Sequence, residues 1–385
     1  MRWTKETESN LKEHLEETLA LIEALCKIPA PSGKEERRAE FCRAWLEKQG
    51  AKGVYIDEAL NVVYPVNCEG SHEIVLFSAH TDTVFPDETE MPFTRDDEYF
   101  YSPGVGDDTA CLAVMLMIAK YVTEKGFQAP CGVLFVANSC EEGLGNLKGI
   151  RQIMQEYRGR IQRAYTFDGQ YNALVTKCVG SHRYEITFKT EGGHSFNAFG
   201  NRNAIVAAAK LITRLDACDI PKTSTNKTTF NVGLISGGTS VNTIAQKATF
   251  LYEYRSDDAE DLEKMRVFFQ EQIAWAGEER LAEIAVKRVG ERPCGGKIDE
   301  ADFEKMCAEA VAISEKYSGV PCKRTSGSTD CNVPMSLGVP AVCVGSYVGG
   351  GEHTREEKIR IDSIPVGLNI AAELILKYFK EKENV

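Results

Sequence analysis

The sequence predicts an α/β protein: a mostly parallel sheet with helices on both faces, into which a smaller α+β domain of ferredoxin-like layout is inserted. Two observations carry this expectation. Up to Asp168, near-continuous apolar runs alternate with helical stretches, the pattern of strands buried on both faces. After about Gly180 the runs become half-polar and alternating, and helix-then-strand alternation resumes after Pro293 and Gly295–Gly296. The domain boundaries are therefore set at 1–179 with 293–385 for the discontinuous α/β domain, and 180–292 for the insertion.

Taken in order, Leu11, Leu15, Leu19, Ile22 and Leu25 keep helical spacing, and Pro29 and Pro31 stop that helix. Ser32 followed by Glu35 reads as a capping box opening a second helix that runs to Gln49 and Gly50. EIVLFSAH (73–80) is a strand, TACLAVMLMIAKYV (109–122) an apolar helix, CGVLFVANSC (131–140) a buried strand and AYTF (164–167) a short one. In the insertion, HRYEITFKTEG, TTFNVGLISGG, KATFLYEYRS and AEIAVKRV read as strands. NAIVAAAKLITRL and DAEDLEKMRVFFQEQIAWA read as the helices between them. The order β-α-β-β-α-β is that of a ferredoxin-like unit. DFEKMCAEAVAISEKYSG then gives a helix and PAVCVGSY a strand, and no internal repeat is present.

Composition narrows the function. The chain has 385 residues, 43% hydrophobic and 26% charged, with a formal net charge of −12. That excess of acid disfavours nucleic acid and anionic membrane as partners. The longest apolar stretch, Cys111 to Ala119, is half of the roughly 18 residues a membrane span needs. The start, MRWTKETESN, has no apolar core of a secretory signal. Thirteen cysteines with no C-x-x-C pair argue against a disulfide scaffold or cysteine zinc site and for a reducing cytoplasm. Cys140, beside Glu141, reads as a packed thiol rather than a nucleophile.

Acids and histidines gather where the apolar strands end: His80-Thr81-Asp82, Asp107-Asp108, Glu141-Glu142, Asp168 and His353. An open parallel sheet binds ligands at the carboxyl ends of its strands. Imidazole mixed with carboxylate suits zinc, manganese or cobalt. Two histidines and three carboxylates exceed one tetrahedral ion and match two ions sharing a bridging carboxylate. Two divalent cations against three carboxylates and one hydroxide leave the site neutral, which lowers the cost of burying it. Such a pair generates a nucleophilic hydroxide near neutral pH. Asp82, two residues beyond His80 on extended backbone, can orient its imidazole. Glu141 can move a proton from water to a leaving amine.

Together SAHTDTV, GVGDDTACLA, SCEEGLG, AYTFDG, GGHSFNAFGNRNAI, SGSTD and GGEHT resemble the metal-dependent exopeptidase and deacylase family. That family includes peptidase T, glutamate carboxypeptidase, acetylornithine deacetylase and succinyl-diaminopimelate desuccinylase, and AYTFDG leans towards the peptidase T branch. The resemblance implies a zinc-exopeptidase-like catalytic domain and a lid in the insertion. It implies that His80, Asp107 and Asp168 hold one metal, and that Asp107, Glu142 and His353 hold the other, with Asp107 bridging. It gives Glu141 the acid/base role and Asp82 that of imidazole orienter. His194 would stabilise the oxyanion, often from a partner subunit, while Asn242 and Arg255 would contact the substrate carbonyl and carboxylate. Arg255 suits that task because guanidinium grips carboxylate bidentately. A homodimer through the lid is a further family expectation. Thr109, SGSTD and GGGEHT depart from the commoner family pattern at positions that affect substrate choice rather than the metal ligands.

The leading expectation is a two-metal hydrolase, zinc first and manganese or cobalt as alternatives, cleaving short peptides as a di- or tripeptide exopeptidase of aminopeptidase type. The alternative is an N-acyl amino acid deacylase of the acetylornithine or succinyl-diaminopimelate type, with the same chemistry and a different pocket. A catalytically silent metal or peptide binder would require a lost Glu141 or ligand, and every matched position is present. A nucleotide-binding reading fails because no G-x-G-x-x-G or P-loop spacing occurs near Asp107.

Overall fold

The apolar runs become the centre of an eight-stranded sheet. In spatial order its strands are Tyr55–Ile56, Val62–Val66, Gly132–Asn138, Ile74–His80, Ile161–Phe167, Ala341–Val344, Ala173–Cys178 and Lys323–Gly327. Gly132–Asn138, Ile74–His80, Ile161–Phe167 and Ala341–Val344 run parallel. Val62–Val66 and Ala173–Cys178 run antiparallel to their neighbours. This is the mostly parallel α/β sheet that the sequence predicts. The computed structural model describes residues 5–221 and 225–380; the first four residues, part of the MRWTKETESN start, lie outside them.

Every residue of Ile74–His80 and of Gly132–Asn138 is buried, so both faces of the sheet are covered. Phe77 stacks on Tyr165 at 5.3 Å and on Phe135 at 5.9 Å between ring centroids, tying three adjacent strands together. The helix Cys111–Lys125 packs against Ile74–His80 and against Ile364–Leu376. It is buried from Cys111 through Val122, which explains a run with almost no polar face. Gly126, left-handed at φ 62°, ends it.

Two local expectations are corrected. The first helix is broken at His14 into Lys5–Glu13 and Leu15–Cys26. The capping box at Ser32 does not form: the helix starts at Glu36, and no side chain caps it. The Ser32 side chain bonds to Asp82 instead, and Glu35 Oε1 accepts both the nearby Gly33 N–H and the distant Cys140 N–H.

The chain divides into two compact units, 1–177 with 296–385, and 178–295. In the second unit, four antiparallel strands take the order Thr228–Gly237, Lys247–Ser256, Gly180–Lys189, Glu283–Arg292. The helices Ala204–Asp216 and Ala259–Glu278 pack on this sheet. Alternate residues of Lys247–Ser256 are buried, as expected for a sheet covered on one face. A short ladder pairs Gly193 with Ile244 and His194 with Thr243. In the first unit a small sheet of Gly349–Gly350, Lys358–Arg360, Tyr99–Tyr101 and Thr94–Arg95 holds the turn that carries His353. Among the described residues no helix is long and apolar enough to cross a membrane.

Candidate metal centre

Parallel strands bring their carboxyl ends to one edge, and the candidate residues follow from that. His80 is the last residue of its strand, Asp168 directly follows Ile161–Phe167, and Glu141-Glu142 follow Gly132–Asn138 by a short link. Asp107 lies in the turn before the buried helix, and its peptide bond to Asp108 is cis.

These residues meet. Ligand atoms of His80, Asp107 and Asp168 all lie within 4.8 Å of one another, as do those of Asp107, Glu142 and His353. Asp107 belongs to both groups and divides its oxygens between them. Its Oδ1 is 3.0 Å from His80 Nε2, and its Oδ2 is 3.0 Å from His353 Nε2. His353 Nε2 also lies 3.1 Å from Glu142 Oε1. Ligand atoms of His80, Glu141 and Glu142 likewise lie within 4.8 Å of one another.

The electrostatics of the cluster are set by burial and by crowded carboxylates. Burial raises Glu142 to about 7, with help from the charges of Asp107 and Glu141 and against the hydrogen bond of His353. Burial, then the Asp107 charge, pushes Asp168 well above the usual carboxylate range. Burial also works against ionised Asp107, but hydrogen bonds from His353 and His80 outweigh it and hold this carboxyl well below that range. Hydrogen bonds to Asp107 and Glu142 lift His353 to about 11. Asp108 adds another buried carboxyl, whose Oδ2 accepts from the His80 N–H at 2.9 Å. So many carboxylates around two imidazoles call for positive charge. The donor set, imidazole plus carboxylate with one shared aspartate, fits two divalent cations.

Asp82 does more than its sequence position suggests. His80 Nδ1 lies 3.4 Å from Asp82 Oδ1 and 3.1 Å from the Asp82 carbonyl. Its carboxylate also accepts the N–H of Glu141 and the N–H of Glu142, each at 2.9 Å. Ser32 donates to the same carboxylate at 2.6 Å, and Glu35 accepts the Cys140 N–H at 3.0 Å. The supposed helix cap is thus a brace for the glutamate loop, and nothing in local sequence could distinguish the two. Cys140 is buried, and burial pushes its thiol to about 12, as a packed thiol requires. Sequence reasoning also passed over Asp330 of SGSTD, which is fully buried and accepts from Asn138 Nδ2 at 2.7 Å.

The remaining candidates lie in the second unit. His194 and Asn242 are neighbours there: the Ser195 N–H donates to the Asn242 carbonyl at 2.9 Å. His194 is exposed, and its Nδ1 accepts long hydrogen bonds from the Phe196 and Asn197 N–H groups, at 3.3 and 3.4 Å. That pattern matches the tautomer protonated at Nε2, a hydrogen-bond donor. Arg255 is engaged by Glu253, with Nε–Oε1 at 2.9 Å and an Nη2–Oε2 contact at 3.0 Å.

Comparison with known proteins places the chain in a family. The family model for peptidase family M20/M25/M40 matches residues 76–377. The chain belongs to that family. As a member it is a hydrolase of amide bonds, of the metallopeptidase class. It is 24% identical over 374 residues to a succinyl-diaminopimelate desuccinylase of Corynebacterium glutamicum, covering 92% of this chain and 96% of that protein. It is similar in fold to a tripeptidase of Staphylococcus aureus, with a TM-score of 0.74, 24% identity, and 94% and 98% of the two chains covered. A dinuclear metal binding peptidase of the M20 family from Bacillus subtilis shares the fold at a TM-score of 0.66 and 16% identity, covering 96% of this chain and 100% of its own.

Proposed function

We propose that this M20 member is a two-metal exopeptidase acting on short peptides, with zinc in both positions and manganese or cobalt able to replace it. The observation that carries the reading is the division of Asp107, one oxygen directed to each histidine. His80, Asp107 and Asp168 would hold one ion, and Asp107, Glu142 and His353 the other. When bound, the ions supply Lewis acidity that polarises the scissile carbonyl and acidifies the attacking water.

The chain's own groups do the rest. Glu141 takes the proton of the attacking water and delivers it to the departing amine. Asp82 holds the backbone of Glu141 and Glu142 and the His80 ring in register. His194, with its Nε2 proton, donates to the developing oxyanion, and Asn242 beside it contacts the substrate carbonyl. Arg255 receives a free substrate carboxylate, exchanging Glu253 for it. The insertion 180–292 would serve as a lid and as the surface of a homodimer. All thirteen cysteines lie outside disulfides, which supports a reducing, cytoplasmic setting.

A second reading, an N-acyl amino acid deacylase, is favoured by the match to a desuccinylase over 92% of the chain. Metal-reconstituted protein assayed on di- and tripeptides against acetyl and succinyl amino acids separates the two. Glu141→Gln should lower kcat about 10²- to 10⁴-fold while both ions remain bound; full turnover in that variant would remove Glu141 from the chemistry.

A further inference from the structure

The turn that carries Asp107 is braced by a residue from the far end of the chain. Glu357 is 1% exposed. Its Oε2 accepts the Gly104 N–H at 2.7 Å, and its Oε1 accepts the N–H groups of Gly106 and Asp107 at 2.8 and 2.9 Å. Its carbonyl accepts the Ser102 N–H at 3.1 Å. Backbone N–H groups converging in this way form a nest for an anion, and here the anion is a side chain.

The GVGD sequence is what allows the nest to close. Gly104 has φ 74°, and a Cβ there would lie 2.7 Å from the Thr83 methyl. A Cβ on Gly106 would lie 2.6 Å from the Tyr347 ring. Glu357 sits four residues after His353, in the connection between Gly349–Gly350 and Lys358–Arg360, which pair with each other. One carboxylate therefore ties the Asp107 backbone to the segment that presents His353. A buried charge beside other carboxylates is a costly way to close a turn. It does supply two oxygens for three donors, with charge-assisted bonds about twice as strong as neutral ones. A glutamine would have one acceptor oxygen and would turn its NH₂ towards the remaining N–H.

We infer that Glu357 is a positioning residue for the shared aspartate: it fixes the Asp107 backbone relative to His353, and through Asp107 it sets the geometry of both cation positions. The inference rests on the two-cation reading. It is tested by stepwise zinc uptake, measured by competition with a chelating indicator, in the wild type, Glu357→Gln, Glu357→Ala and His353→Ala. kcat and KM are measured separately at saturating zinc. Glu357→Gln should keep the fold and weaken both uptake steps about ten- to hundredfold, the usual effect of losing a partner behind the ligands. His353→Ala should weaken one step only. The Gln variant should lose kcat with little change in KM. Uptake unchanged at both steps, or a loss confined to one step, or lost thermal stability with normal uptake, would overturn the inference. Should Glu357→Ala fail to fold, the near-isosteric Gln variant still gives the reading. Wild-type protein that takes up two ions alongside an unaffected Glu357→Gln would remove this inference alone. Wild-type protein that takes up fewer than two would remove the two-cation reading and this inference with it.

Discussion

The two large sheets of this chain treat polar residues in opposite ways. In the eight-stranded sheet, Ile74–His80 and Gly132–Asn138 are buried at every position, and chemistry is displaced to the residues at and just after the strand ends: His80, Glu141, Glu142 and Asp168. In the four-stranded sheet, Lys247–Ser256 alternates, and Glu253 and Arg255 sit mid-sheet on the more open face, with Arg183 bonded to Glu253 from the neighbouring strand. The difference follows from covering. A face packed under helices cannot hold an unpaired charge without a large desolvation cost, whereas an open face can. The first arrangement gathers donors from distant segments into one cluster. The second spreads guanidinium and carboxylate groups along a surface, where they pair with one another.

The sharpest test of the strand-end cluster is loss of its shared member. Asp107→Ala, like chelation of divalent ions, should abolish hydrolysis and reduce zinc uptake at both positions. Retention of one full-affinity ion would break the view of the cluster as a single site. The contrast in covering predicts a difference in stability. Phe77→Ala, in the column of stacked rings, should cost about 3–5 kcal/mol in denaturant unfolding. Thr229→Ala, exposed on an edge strand of the other sheet, should stay within about 0.5 kcal/mol. If mid-sheet charge serves substrate, Arg255→Ala should lower kcat/KM about ten- to hundredfold for substrates with a free carboxylate, the equivalent of losing charge-assisted hydrogen bonds. The amides of the same substrates should be affected little.

The smallest effect concerns pH. Burial lowers the His182 pKa, and His182 Nδ1 lies 2.8 Å from the Tyr254 hydroxyl. A histidine kept neutral by the fold binds its proton more readily when unfolded. Its contribution is therefore intact above the ordinary value of about 6.5 and is lost as pH falls through the folded value. The thermal midpoint should drop between pH 7 and 5, and His182→Gln should flatten that drop.

Much of the site was legible because burial leaves a simple signature. An apolar run followed closely by His80, Glu141-Glu142 or Asp168 marks the end of a covered strand, and these three marks, with Asp107 and His353 in glycine-rich turns, indicated a common pocket. The break in the first helix at His14 was not legible, since Leu11 and Leu15 keep helical spacing across it. Ser32 and Glu35 misled for a related reason. Spacing that suits a capping box also suits a serine bonded to Asp82 and a glutamate bonded to the Cys140 N–H, and only the packing of distant segments decides between them. Glu357 sits in the charged run TREEKIR, where nothing marks one acid as buried.

By itself, the sequence marked the four parallel strands of the main sheet, the distinct patterning of 180–292 and a set of candidate donors, because periodicity and the reach of an apolar run are local properties; it did not mark Val62–Val66, Ala173–Cys178, Lys323–Gly327 or the helix Ile364–Leu376. Tertiary structure alone decided which oxygen of Asp107 faces which histidine, that Asp82 carries the glutamate loop, and that Glu357 cradles the 104–107 turn. Those contacts join residues far apart in the chain. They depend on how parallel strands and their crossovers bring segments into register, and no short window of sequence contains that information.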